Sequence, residues 1–521
     1  MAARQEKADD TRPWQPSLRA ELAGLLALTA AGTILRFYRL GAQSLWLDEA
    51  ISVNSASHPL LSIAAGRAGD NHTPPLYYLL LHAWMAMGKS EAGLRALSAL
   101  LGVVSIPVLY LMGKRITDSR AAFAAAGLLA FSPFHLRYSQ EARMYTLVTL
   151  LVLGMVYFWL GALRRGGLSY WAGFALFALL SIYTHYYALL AVLALDATFI
   201  WQWRRHRQER LAWIGAHLLI AAGLLPWMPI IAGLLARGGQ TWRLASVTGL
   251  PFQAIALGRG VYAFFVFSVG YSLVPMHAEA KRFLSHTLLK NLPLLIAAYC
   301  AFGILFFLGV AAAARKQSEA KILLPLLFLP LLFAVAVGVV VPSFSENYLI
   351  FLLPFFCLLL GLGMTASGRL PLRAACATIA LALMAVSLGR YYFDPACQRE
   401  PWREVARFVG LHAASGDGIA FHRPYVQIPF DYYWKGRLAE YPLPAPPPRG
   451  RNHDALRDLT ARHRRLWLVI SHDPDTGLGY LRVARAYGRI VEEKSFGPGR
   501  EITVALLEGT RPRLQGQEDD E

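Results

Sequence analysis

The sequence predicts a polytopic α-helical membrane protein carrying a small α/β domain at its C-terminal end. Three observations lead there. Of 521 residues, 55% are hydrophobic and only 16% charged, against about 25% charged in an ordinary globular chain. The apolar residues lie in blocks of about 18 or more, long enough to cross a bilayer. Finally, much of the Lys and Arg behind the net charge of +18 sits in short loops between those blocks, where the positive-inside rule accounts for it. That distribution argues against nucleic acid as a partner, although basic side chains left on the outer face would still suit an anionic lipid or phosphate. Four cysteines, three of them in apolar blocks, give no disulfide framework.

Residues 1–19 mix both charge signs and read as a cytoplasmic tail. The block from Ala20 to Leu35 resembles a signal-peptide core, but Arg36, Phe37, Tyr38 and Arg39 after it suggest an interfacial belt and a retained anchor. With the N-terminus inside, loop charges orient ten further crossings: 95–113, 121–137, 144–163, 168–185, 186–203, 211–234, 291–315, 321–341, 347–365 and 371–390. Eleven crossings leave the C-terminal part outside. Two apolar stretches, 74–87 and 252–275, break this alternation and are read as interfacial or re-entrant helices on the outer side; if both cross, the count is thirteen. The expected organisation is therefore a tail (1–19), a transmembrane catalytic domain (20–390), an extracytoplasmic α/β domain (391–512) and an acidic, disordered tail (513–521). Within the α/β part, a helix opens at Pro401, strands are expected at 418–421 and 465–471, and Pro442 to Pro448 forms a linker.

Polar residues crowd the outer loops, whereas the inner loops hold little beyond Arg and Lys. Ionisable groups at membrane depth usually serve a pathway or a site, so the chemistry is expected on the outer side. Asp48 and Glu49 are adjacent and diverge by about 100° on a helix; one suits a general base while the other binds something else, or the two are a solvated loop pair or acids favoured at a helix start. Ser139 suits the cap of the next crossing with Glu141 in its first turn, but that leaves Arg137 and Arg143 unexplained. Arg143 presents a planar fork suited to phosphate. His72 precedes two prolines and reads as a polar loop residue, an orienting group or a metal ligand. His185 equally fits an interfacial aromatic belt. No strong metal spacing, Gly-rich phosphate loop or serine-hydrolase elbow is present.

Leu45-Trp46-Leu47-Asp48-Glu49-Ala50, His72-Thr73-Pro74-Pro75-Leu76-Tyr77-Tyr78 and Tyr138-Ser139-Gln140-Glu141-Ala142-Arg143-Met144-Tyr145 occur in an order and separation that resembles bacterial glycosyltransferase family 39. These are relatives of the protein O-mannosyltransferases and the lipid A aminoarabinose transferase, with the GT-C fold. The resemblance is specific over about residues 35–190 and looser to about 390. It implies a sugar donor linked to polyprenyl phosphate and an acceptor hydroxyl on a lipid, glycan or protein, with inversion at the anomeric carbon. It further implies a bacterial inner-membrane location with the site facing the periplasm or exterior.

Carried over residue by residue, the resemblance makes Asp48 the general base, with Glu49 and Glu141 completing the acidic set. Arg143, with Arg137, would bind the donor phosphate. His72 and Tyr78 would line the cavity, and Tyr138, His185, Asn347 and Tyr348 are expected there too. No cofactor is implied with certainty, and a divalent cation is the one compatible with the resemblance. One departure stands out: many relatives have an Arg-Tyr pair where this chain has Asn347-Tyr348, so the phosphate needs another cation. A transporter or flippase of lipid-linked sugars is the rival reading; it predicts midplane charges and paired broken helices.

Overall fold

The computed structural model describes residues 17–68, 73–233, 252–274, 290–315, 319–340, 345–368, 370–443, 451–471, 478–497 and 502–509. Among them, eight helices are long and apolar enough to cross a membrane: Leu18–Phe37, Glu91–Ile116, Tyr145–Arg165, Arg207–Gly233, Leu292–Arg315, Glu319–Val339, Glu346–Thr365 and Leu370–Phe393. The other three expected crossings appear as shorter apolar helices, Ser119–Phe131, Leu168–Ile182 and Ala188–Trp201.

In chain order the first elements are α1 (Leu18–Phe37), α2 (Leu47–Ala56), α3 (Leu60–Ala64), α4 (Leu76–Trp84), α5 (Glu91–Ile116), α6 (Ser119–Phe131), α7 (Pro133–Ser139) and α8 (Tyr145–Arg165). Then follow α9 (Leu168–Ile182), α10 (Ala188–Trp201) and α11 (Arg210–Leu224). Close crossings need small residues. Gly309 and Gly363 meet reciprocally, so a Cβ on either would run into the carbonyl of Leu359 or Leu305 on the facing helix.

Several expectations change here. The segment expected to cross as 121–137 is two helices. Pro133, which cannot continue the ladder of α6, starts α7, and Ser132 caps it by accepting from the His135 amide at 3.2 Å. Ser139 therefore ends α7 rather than capping the next helix, and its hydroxyl donates to the His135 carbonyl at 2.7 Å. Glu141 and Arg143 lie in the turn before α8, not in its first turn. Arg36 is no interfacial belt residue. It is fully buried and donates to the carbonyls of Gly32, Leu129 and Ala130, with His135 Nδ1 2.9 Å away. A guanidinium at that depth must satisfy its donors on protein carbonyls, which locks α1 to the α6–α7 break.

The helix at Phe252–Val269 does not lie flat at the interface. Phe267 meets Phe134 and Phe356 with ring centres at 5.6 and 6.0 Å, and Phe264 meets Phe306 at 5.6 Å, so the helix packs inside the bundle. Nor are all polar groups at one end. Asp196 on α10 accepts from the Trp213 indole and bonds His217 Nε2 on α11, both at 3.0 Å. This pair is satisfied and pins two helices together.

Beyond the last long helix, which runs three residues past the expected end of the membrane domain at 390 to Phe393, a five-stranded sheet has the order β2-β1-β3-β5-β4. Its strands are β1 (Gly418–His422), β2 (Ala439–Leu443), β3 (Arg465–Ser471), β4 (Gly488–Phe496) and β5 (Ile502–Gly509). The pairs β1–β2 and β1–β3 are parallel, and β3–β5 and β4–β5 antiparallel. Pro442 and Leu443, expected in the linker, belong to β2, where an edge strand tolerates proline. The expected strands at 418–421 and 465–471 are β1 and β3. The amphipathic helix Trp402–His412 buries Trp402, Val405 and Val409 against the sheet. The two tails fall outside the described residues, except for 17–19.

Candidate active site

The predicted acidic pair separates as the helical geometry requires. Both residues sit in the first turn of α2, but Glu49 turns inward and is fully buried, whereas the Asp48 side chain keeps 37% exposure. Glu49 is held on every side. Arg95 Nε and Nη2 reach its two oxygens at 2.8 and 2.7 Å, Arg399 Nη1 adds a contact at 2.9 Å, and the Ala142 amide donates at 2.9 Å. The remaining Arg95 donors go to the carbonyls of Leu40, Gln43 and Ser44, all at 2.9 Å, so all five N–H donors are used. Burial alone would raise the Glu49 pKa; the two guanidiniums overcome it and bring it down to about 2. With no oxygen to spare, Glu49 is a tether rather than a proton acceptor, which corrects its expected catalytic role.

Glu141 shares the same clasp. Arg399 Nη2 reaches its Oε1 at 2.9 Å and Arg137 Nε lies 3.5 Å away, while buried Oε2 has no hydrogen-bond partner. Here burial prevails and, with Glu49 and Asp48 nearby, raises the pKa against the pull of Arg399 and Arg137.

These opposite shifts give a signed prediction. Glu49, lowered from 4.5 to about 2, contributes stability that is fully present above about pH 4.5 and lost as pH falls through about 2, roughly 3 kcal/mol at 1.36 kcal/mol per unit. Glu141, shifted upward, opposes this: its contribution is present at low pH and fades as pH rises. Thermal melts should therefore show that Glu49→Gln starts less stable at pH 7 and declines less below pH 4.5 than the wild type. Parallel melting profiles would refute the tether.

Arg143 is held differently. It lies 3.6 Å from Asp48 Oδ2 and 3.5 Å from both the Asp48 carbonyl and Ser52 Oγ, and its buried Nε is unpartnered. Charged hydrogen bonds normally close to about 2.7–2.9 Å, so this fork is not saturated. Around it stands an aromatic wall. Tyr145 lies under the guanidinium at 5.8 Å, packs edge-on against Tyr138 at 4.4 Å, and its hydroxyl accepts from Asn347 Nδ2 at 2.6 Å. His185 packs near Tyr145 and Tyr348 at 6.2 and 5.2 Å. Tyr78 is buried with its hydroxyl in electrostatic reach of Arg143. Arg137 leans on the Tyr271 ring at 5.5 Å, and the Tyr271 hydroxyl donates to Glu346 at 3.1 Å.

The structure thus gathers ten of the eleven predicted site residues; His72 lies outside the described residues. Sequence reasoning missed Arg95 and Arg399, which carried no motif, and Tyr271. It also missed Arg259, whose charge reaches the Tyr348 hydroxyl from the helix Phe252–Val269. A lone arginine inside an apolar stretch was the available signal. Among the described residues no three His, Cys, Asp or Glu side chains converge as a cation cage.

Comparison with known proteins identifies the fold. ArnT from Cupriavidus metallidurans in the apo state superposes with a TM-score of 0.56 at 13% identity, covering 94% of this chain and 98% of that one. The fold is GT-C. ArnT bound to undecaprenyl phosphate gives 0.55 at 13% identity, over 93% of this GT-C chain and 98% of ArnT. The Archaeoglobus fulgidus oligosaccharyltransferase AglB, in complex with an inhibitory peptide and a dolichol-phosphate, gives 0.52 at 13% identity, over 96% and 75%. The family model described as dolichyl-phosphate-mannose-protein mannosyltransferase matches residues 72–230, and the family 39 likeness of this GT-C chain stands. An uncharacterized protein of Aquifex aeolicus is 29% identical over 134 residues; the match spans 24% of this chain and 27% of that relative.

Proposed function

We propose that this protein transfers a sugar from a polyprenyl-phosphate-linked donor to a hydroxyl of a lipid, glycan or protein, on the outer side of a bacterial inner membrane. One observation carries the reading. Of the buried arginines near the acids, Arg95 is saturated, whereas Arg143 leaves its buried Nε unpartnered and stands 3.6 Å from Asp48, the one carboxylate of the group that stays accessible. In the proposed reaction Asp48 takes the proton of the acceptor hydroxyl as that oxygen bonds to the anomeric carbon from the face opposite the phosphate. The bond from that carbon to the phosphate oxygen breaks, and its electron pair leaves on the lipid phosphate. A phosphate is an acceptable leaving anion, so what the site must supply is a base and positive charge. Arg143 and Arg259 provide the charge, which answers the Asn347 departure. The ligands bound to ArnT and AglB, undecaprenyl phosphate and dolichol-phosphate, support a donor of this class.

Arg143→Lys replaces a fork with a point charge. Losing one charged hydrogen bond of about 1.5–3 kcal/mol should cut kcat/KM for the lipid-linked donor roughly 10–100-fold in reconstituted membranes. Unchanged donor kinetics would remove the phosphate assignment. Mass spectrometry of envelope lipids and glycans with and without the protein identifies the acceptor.

A further inference from the structure

At the end of α8 remote from Tyr145, about 31 Å away for 21 residues at about 1.5 Å each, lies a cavity of about 1240 Å³. The C-terminal ends of α8 and α10, the loop after α10 and the start of the helix Glu319–Val339 enclose it. Six cations line it: Arg164, Arg165, Arg204, Arg205, Arg207 and Lys321. The acids on the wall are Glu209 and Glu319, and both are engaged. Glu319 pairs with Arg164, and Glu209 accepts from the Trp171 indole at 2.7 Å. Arg165 contacts the Tyr170 hydroxyl at 3.0 Å. Arg204, Arg205, Arg207 and Lys321 make no side-chain hydrogen bond or ion pair among the described residues.

Helix dipoles and membrane topology explain the sign of this charge. They do not explain why six cations gather around one cavity, nor why an apolar patch of Trp159, Leu163, Trp201, Ile322 and Pro325 lies beside the polar Thr198, Gln202 and Gln208 in the same lining. Trp201 is 85% exposed, as suits an indole placed at headgroup level. A basic rim beside an apolar patch at a membrane interface suits a molecule with a phosphate at one end and hydrocarbon at the other.

We propose that this cavity binds the head group of an anionic glycerophospholipid from the leaflet opposite the one where sugar transfer occurs. The unpaired guanidiniums hold the phosphate, and the apolar patch receives the first carbons of the acyl chains. This site is separate from the donor site, and its occupancy does not depend on the reaction proposed above.

The test uses the purified full-length protein in neutral detergent with fluorescent phosphatidylglycerol and phosphatidylcholine as probes. The wild type should prefer phosphatidylglycerol at least about tenfold, in line with several cations acting near one anionic surface. Changing Arg204, Arg205, Arg207 and Lys321 together to Gln should abolish that preference without lowering the melting temperature. Arg204→Gln with Arg205→Gln, a milder variant, should reduce it severalfold and keeps the test valid if the quadruple change unfolds the protein. Millimolar inorganic phosphate should not displace the lipid. A wild type without preference, variants that retain it, or displacement by inorganic phosphate would each overturn the proposal, the last showing a free-phosphate site.

Discussion

Replacing Asp48 by Asn is expected to abolish sugar transfer, with a loss of about 10²–10⁴-fold, the usual range for a positioned general base. The amide keeps the size of the side chain and its place in the first turn of α2, but it cannot accept the acceptor's proton. Because Asp48 is 37% exposed and Arg143 stands 3.6 Å away, longer than a closed charged hydrogen bond, expression and melting temperature should stay near wild type. Membranes carrying the variant and supplied with lipid-linked sugar give the measurement. Turnover at the wild-type rate would eliminate Asp48 as base. Movement of the lipid-linked sugar across the membrane with no new glycosidic bond, by the wild type, would favour the flippase reading.

Arg399→Ala should have the largest structural effect. This residue comes from the segment after the last long helix, yet it is buried between α2 and the turn before α8, bridging Glu49 and Glu141 at 2.9 Å each. Removing one partner of a buried ion pair strands charge in a medium that solvates it poorly, at about 3–5 kcal/mol. The burial that already raises the Glu141 pKa would then act with only Arg137 against it. Denaturation should show this loss, and transfer should fall with it, because the loop bearing Arg143 loses its guanidinium bridge to α2 and keeps only the Ala142 amide on Glu49 and the long Arg143 contacts. Adding Glu141→Gln to Arg399→Ala should restore part of the stability, since it removes the stranded charge; a double-mutant cycle isolates that coupling. Strictly additive losses would refute the bridge. The same geometry means that deleting 391–521 removes part of the active-site scaffold as well as the α/β domain, so the deletion does not separate their roles.

The membrane helices were legible because a long apolar run has few alternatives. The family likeness was legible because three motifs of distinctive residue types kept their order. Divergence of Asp48 from Glu49 followed from helical periodicity alone. Boundaries were less legible where a single residue decides them. Pro133 splits one expected crossing in two, and this moved Ser139 and Glu141 out of the roles first assigned to them. Arg36 looked interfacial because its neighbours in sequence are aromatic and basic, but its neighbours in space are four buried acceptors.

What the sequence determined by itself is the class of molecule: apolar blocks that must hide their backbone in helices, polar loops between some of them, and an acid at Asp48 with an arginine at Arg143 within one motif set. What only the tertiary structure decided is the division of labour among the charges. A carboxylate acts as a base or a tether according to how many donors saturate it, and an arginine is free for phosphate or spent on carbonyls by the same criterion. Those counts depend on residues 46, 93 and 350 positions apart in the chain, and spacing along a sequence does not contain them.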